Sequence, residues 1–353
     1  MNGDRLRRFA AEALGIVVAF ALAIAVGMVL VLLLSAEPGH ALYALLIQPL
    51  TSAFYFGNVL ERAIPLIFAG LSVAVSFQAR QFNIGAEGAI YIGALFGTLI
   101  ALYATFLPGP VHQLAVFIAA IIGGALVGWL PGWLKARFGA NEVVSTLMLN
   151  TIAIKFTSYL LSDPIRDKSS GYTQTVTLPD QVLLARILPP SRLHTGLFIA
   201  LLAVVVTYGF LYRTTIGYEI RMVGINPRFA AYGGIDHRRA IVLAFVVSGI
   251  LAGLGGIVEV VGIHQKLIEN FSPGYGFDGL LVAIIARLHP LAVPFAAFFY
   301  AYLRAGAAIM ERESDIPQEM VSVIQVILIL FITAEALMSF FRKRMNRRTE
   351  HAR

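Results

Sequence analysis

The sequence predicts an all-α polytopic membrane protein, and three observations carry that prediction. Of the 353 residues, 58% are apolar and only 13% charged, whereas soluble domains carry about 25% charged residues. The apolar residues gather in long runs: Ala13–Ala36, Ala63–Ala79 and Gly88–Leu134 hold no Asp, Glu, Lys or Arg. Runs of about 20 residues match a hydrocarbon core roughly 30 Å thick. Finally, Lys and Arg concentrate in alternate links between the runs, the asymmetry that fixes orientation across a bilayer.

In chain order, Asp4–Arg8 is basic and precedes an apolar run, as in a signal peptide. Ala13–Ala36 is too long for an h-region of about 7–15 residues, so it reads as a retained first span over 14–34. Glu37-Pro38-Gly39 is a turn signal. The mildly apolar stretch 38–58 suits the membrane interface. A second span is expected at 60–79, with Pro65 near its start, where a missing N–H does least harm. Pro108-Gly109-Pro110 divides the next uncharged stretch into spans at 87–107 and 112–133.

Lys135 and Arg137 mark a link, and a fifth span follows at 141–161. The polar segment 162–194 separates it from spans at 195–212 and 240–262, which flank the strongly basic link 213–239. Two shorter apolar pieces, 277–287 and 291–310, are divided by Arg287-Leu288-His289-Pro290. The first is too short to cross at 1.5 Å per residue, so the pair reads as a broken hairpin. A last span covers 317–341. This makes about ten membrane segments in all.

With the N-terminus inside, most Lys and Arg fall in 1–12, 135–137, 213–239 and the tail 342–353. Both termini are therefore expected in the cytoplasm, with 13–341 forming the membrane domain, 213–239 a cytoplasmic loop and 162–194 an external one. The formal charge of +7 then belongs to cytoplasmic loops and a lipid-facing tail rather than to a nucleic-acid surface. A weak internal symmetry is also visible: Glu87-Gly88 before one span is echoed by Asp278-Gly279 before the broken pair. On this topology the two steps lie toward opposite sides, as in inverted repeats that meet at a central site.

The chemistry is defined partly by what is missing. There is no cysteine, hence no disulfide, thiol nucleophile or cysteine metal site. No G-x-x-x-x-G-K-[ST] pattern occurs, so the chain has no P-loop for ATP. Neither G-x-S-x-G nor H-E-x-x-H is found, and the seven His are scattered. No catalytic residue, metal or cofactor is expected.

The polar groups beside the spans carry the signal instead. Arg80–Gly88 places Asn83 and Glu87 next to two glycines between uncharged runs. Irregular backbone and a carboxylate are tolerated there only against protein or a water-filled path. In the basic link, Gly217–Ile235, a short helix over Tyr218–Val223 is expected to stop around Gly224. A second begins at Asn226-Pro227, with Asn as cap and Pro in the first turn. Glu142, near the start of the fifth span, could pair with Lys135 or Arg137.

Phe82–Gly88, Asn141–Asn150, Gly217–Ile235 and Tyr275–Gly279, four ordered motifs within residues 60–340, resemble the branched-chain amino acid/ribose-type ABC permeases. The likeness is greatest to the nucleoside-uptake branch of the simple-sugar permeases. It implies a permease subunit of an ABC importer in the cell membrane, moving a nucleoside- or sugar-like solute. Its partners would be separate ATPase subunits, a second similar permease chain and an external solute-binding protein. It further implies that Phe82, Asn83, Glu87, Asn150, Tyr275, Phe277 and Asp278 border the solute path. Gly217, Glu219, Arg221, Gly224, Asn226 and Pro227 would form the loop that meets the ATPase. Ala89, Ala286 and Leu288 depart from the residues usual in this family. The rival reading is an ion-coupled secondary transporter, with Glu87, Asp278 or Glu259 carrying protons.

Overall fold

The computed structural model describes residues 37–314 throughout, and positions 28, 29, 31, 32, 35, 316, 323, 326, 327 and 330 outside them. The spans expected at 14–34 and 317–341, the N-terminal 1–12 and the tail 342–353 fall largely or wholly outside the described residues. Within them the chain is helical; its only β pairing is two isolated antiparallel bridges, Gln174 with Ile268 and Arg186 with His194.

Among the described residues, seven helices are long and apolar enough to cross a membrane. They are α2 (Ala53–Gln78), α3 (Ala86–Tyr103), α4 (Gly109–Phe138), α5 (Glu142–Ser162), α6 (Gly196–Arg213), α9 (His237–Glu259, continued by a π-helical turn to His264) and α11 (Val293–Glu313, preceded by a 3-10 turn at Pro290–Ala292). Shorter helices are α1 (Pro38–Leu46), α7 (Thr215–Ile225), α8 (Pro227–Tyr232) and α10 (Tyr275–Ile285). Each span expected within 37–314 therefore has a helix, and the short member of the broken pair is short in space as well.

Three boundaries differ from expectation by four residues or more. Helix α2 begins at Ala53, so it takes in the end of the stretch expected at the interface. Helix α3 stops at Tyr103 rather than at 107. Helix α4 runs through Lys135 and Arg137, where a link was expected. There the stop is Gly139, at φ 66° as a left-handed cap, and the two cations sit in the last turn, where they complement the helix dipole.

The chain forms two compact units. One comprises 1–59 with 298–353. In its described part, Tyr302 donates a hydrogen bond to the Leu46 carbonyl and Tyr55 donates to Glu313 at 3.2 Å. A Cβ at Gly306 would fall 2.1 Å from the Leu45 carbonyl oxygen, so α1 and α11 pack through bare backbone.

The other unit, 60–297, holds every candidate site residue. At its centre α9 packs on α3 and α4 through glycine rows. A Cβ on Gly124 would lie 2.2 Å from the Gly249 carbonyl, one on Gly128 2.2 Å from that of Phe245, and one on Gly93 2.3 Å from the Gly253 Cα. Small residues spaced by four let backbones approach this closely, which is how helices gain contact where lipid removes the hydrophobic drive. The polar segment after α5 packs on the link beyond α9: Thr175 N–H donates to Leu267 and Leu178 N–H to Gln265.

Candidate functional site

Two interruptions of the helical pattern meet at one place. After α2, Arg80 takes a left-handed conformation at φ 54° and residues 81–84 run without regular structure into α3. After α9, Gln265, Asn270 and Gly274 are left-handed before α10 begins. The first turns of α3 and α10 then abut. The Gly276 amide donates to Glu87 Oε2 at 2.6 Å, and a Cβ at Gly276 would fall 2.3 Å from the Glu87 nitrogen. Ser272, Gly274 and Asp278 lie close enough to act on the same carboxylate.

Glu87 is 3% exposed. Its burial is tolerated because the first-turn N–H groups of α10, which have no partner inside their own helix, supply donors and positive dipole charge. The two acid–glycine steps, expected to meet at a central site, are therefore in direct contact.

The predicted residues do not all do the same work. Asn83 Oδ1 accepts from the Gly85 amide at 2.7 Å, and its Nδ2 donates to Ser248 Oγ at 2.9 Å; Ser248 bonds to Ser72 at 2.8 Å. Asn150 Oδ1 accepts from the Gly88 amide at 2.8 Å while its Nδ2 donates to the Ile84 carbonyl at 2.8 Å. These two amides clamp the irregular stretch before α3 from either end and satisfy backbone groups that apolar surroundings would leave stranded.

Phe82 is 41% exposed and leans on Phe77 at 4.9 Å; Phe277 is also exposed. Glu142 pairs with Lys135 at 2.7 Å, one of the two partners expected.

Tyr275 points the other way along α10, donating to Glu259 Oε1 at 3.1 Å. Beside it, Tyr91 packs on Phe271 at 4.8 Å and donates to the Ser272 carbonyl at 3.4 Å, while His264 meets Phe271 edge-on. Phe271, Ser272, His264 and Ser248 were not picked out from the sequence. Only the fold shows that the link after α9 returns onto α3; isolated serines in apolar helices give no such signal.

The basic link folds as two short helices. Thr214 caps α7 by accepting from the Gly217 amide at 3.1 Å, and Asn226 caps α8 by accepting from Arg228 and Phe229 at 3.1 and 3.2 Å, with Pro227 in the first turn. Helix α7 ends at Ile225, beside the Gly224 where its stop was expected. The glycine serves packing: a Cβ there would lie 1.9 Å from the Gln78 carbonyl oxygen, and one at Gly217 2.1 Å from that of Phe210.

Ile220, Val223 and Ala230 join Ala79, Ala240 and Phe245 in one buried cluster, seating both helices on the end of α2 and the start of α9. Arg221 donates to the Leu211 carbonyl at 2.9 Å and covers the Tyr212 ring at 4.6 Å. Glu219 is exposed. Tyr218, Ile225, Phe229 and Tyr232 remain exposed, Tyr232 at 92%. From the same α2 terminus, Gln78 Nε2 donates to the carbonyl of Leu288, in the left-handed break between α10 and α11.

Residues 55–333 match the family model described as branched-chain amino acid transport system / permease component. A glucose ABC transporter permease protein of Haloferax volcanii is 35% identical over 91% of this chain and 86% of its own length. A guanosine ABC transporter permease protein of Bacillus subtilis is 34% identical over 84% of this chain and 85% of its own. A nucleoside ABC transporter permease protein of Lactococcus lactis is 32% identical over 88% and 87%.

Proposed function

The chain belongs to the branched-chain amino acid transport system permease family, and from that premise we propose that it carries a nucleoside- or simple-sugar-like solute inward. It is a multi-pass permease subunit of an ABC transporter in the cell membrane, and ATP is hydrolysed by a separate subunit. A solute-binding protein belongs to the same machinery. An ion-coupled carrier has no support among these relatives.

In this reading a second, similar chain completes the path, and the chain crosses the membrane about ten times with both termini in the cytoplasm. The membrane domain is 13–341, the tail 342–353 lies at anionic lipid, and 162–194 faces outward, where the binding protein docks. The segment 213–239 faces the ATPase. Glu87, Tyr275 and Asp278 border the solute, with Phe82 and Phe277 as apolar walls; Asn83 and Asn150 shape the path by holding its backbone.

The observation that carries the coupling role is the seating of α7 on α2, backbone against backbone at Gly224 and Gln78. A push on the exposed aromatics of α7 and α8 moves a rigid pair of helices, because Ile220, Val223 and Ala230 are locked into the core. The α2 terminus then moves with it, and α2 leads directly into the stretch held by Asn83.

The test is reconstitution of the permease in liposomes with its ATPase and binding protein. ATP-dependent uptake of inosine or glucose is expected, with no ATPase activity in the permease alone. Uptake that persists without the ATPase, or that stops when a proton gradient is collapsed at constant ATP, overturns the reading.

A further inference from the structure

We propose that Glu259, His264 and Tyr275 form a hydroxyl-recognition subsite that grips the sugar ring of the solute; this rests on the solute path proposed above and adds the group that is read. Glu259 lies in the last turn of α9, with its side chain 4% exposed. Oε1 accepts from the Tyr275 hydroxyl at 3.1 Å and stands 3.7 Å from His264 Nε2, too far for a hydrogen bond. Oε2 has no hydrogen-bond partner, and neither has His264 Nε2. Buried polar atoms are ordinarily satisfied, and a carboxylate oxygen without a donor is costly. An acceptor and an imidazole nitrogen, both unfilled and side by side, suit a ligand that brings hydroxyl groups: one donates to Oε2, and a neighbouring one bridges to the ring.

The surroundings favour a neutral polyol over a cation or an acid. Glu61 and Arg62 of α2 both act on Glu259, so a cation partner is already at hand. The Glu61 and Glu259 carboxylates already face Arg62 and Arg192, so a charged ligand of either sign would upset an existing balance. Next to His264, Tyr91 and Phe271, their rings tilted 54° to each other, add apolar surface for the ring face of a furanose or pyranose whose hydroxyls point at polar groups. A ribose and a hexose share this pattern of adjacent hydroxyls. Tyr275 also ties the subsite to Glu87, since Gly276, the next residue, donates to that carboxylate. Movement of the first turn of α10 therefore opens or closes both carboxylates together.

The experiment uses the assembled importer in liposomes with saturating, solute-loaded binding protein, so that the rate reports steps after delivery. Inosine is compared with 2′,3′-dideoxyinosine, and glucose with 2-deoxyglucose; the natural compound of whichever pair is moved identifies the ring. Wild type is expected to move the intact sugar roughly tenfold faster than its deoxy analogue, the usual consequence of leaving a buried polar group unpaired. Glu259→Gln and His264→Leu should remove that ratio by slowing the intact compound alone, and Tyr275→Phe, which keeps the ring, should reduce it. Equal slowing of both compounds by Tyr275→Phe, or an unchanged ratio in Glu259→Gln, overturns the subsite while leaving ATP-driven transport intact. Should wild type move neither pair with ATP present, the solute reading falls and the subsite with it.

Discussion

Glu87 Oε2 accepts a 2.6 Å hydrogen bond from the Gly276 amide, joining residues 189 apart in sequence at the point where two helices begin. The carboxylate caps a neighbouring helix rather than its own. It is thereby held in place by the backbone at the start of that helix.

Glu87→Gln retains the shape and one acceptor oxygen but loses the charge. Hydrogen bonds to charged groups contribute about 1.5–3 kcal/mol, so solute uptake at equal expression should fall by about tenfold or more. Normal uptake would remove this side chain from the path.

Asn150 bonds both the Ile84 carbonyl and the Gly88 amide. Asn150→Leu is similar in size and satisfies neither, so stability in detergent should drop by about 2–4 kcal/mol. The preference among solutes should stay as it was. A stable variant with altered preference would make Asn150 a solute contact instead.

At Gly224 any side chain collides with the Gln78 carbonyl oxygen, which a Cβ would meet at 1.9 Å. Gly224→Ala should lift α7 from α2 at a cost of about 1–3 kcal/mol. The readout is coupling: ATP hydrolysed per solute moved should rise at least severalfold in the assembled complex, and Gly224→Asp should exaggerate it. An unchanged ratio in both variants would deny α7 its part in transmission.

His194, on the segment before α6, is fully buried, and burial pushes its pKa down from 6.5 to about 4. Nδ1 accepts from the Gly196 amide at 3.1 Å. Between pH 6.5 and 4 the unfolded chain binds a proton that the folded chain refuses, so stability falls as pH drops through that window and levels off below it. The total is about 3 kcal/mol. Thermal melting from about pH 7 to 4 should show this slope in wild type and a much shallower one in His194→Gln. Equal slopes would place the acid sensitivity elsewhere.

Much of this was legible in the sequence. Apolar runs of spanning length predict α2, α3, α4, α5, α6, α9 and α11, because lipid forces each segment to satisfy its own backbone. Arg287-Leu288-His289-Pro290 announces the break after α10, and Asn226-Pro227 announces the start of α8, because both are local chemistry. Even the pairing of Glu142 with Lys135 lies within reach of neighbours along the chain.

The tertiary structure alone decided which polar groups meet. Asn83 and Asn150 resemble Glu87 in the sequence: each is a polar residue beside an apolar run. Only packing shows that both amides are consumed by backbone and a buried serine, whereas Glu259 and His264 keep an atom unsatisfied. Gly224 reads as a helix stop, and the helix does end beside it, yet its close contact with Gln78, far away in sequence, is legible only in space. Periodicity and local propensity act over a few residues and so survive in a string of letters. The hydrogen bond between Glu87 and Gly276 depends on where two distant segments fold back, and no local rule encodes that.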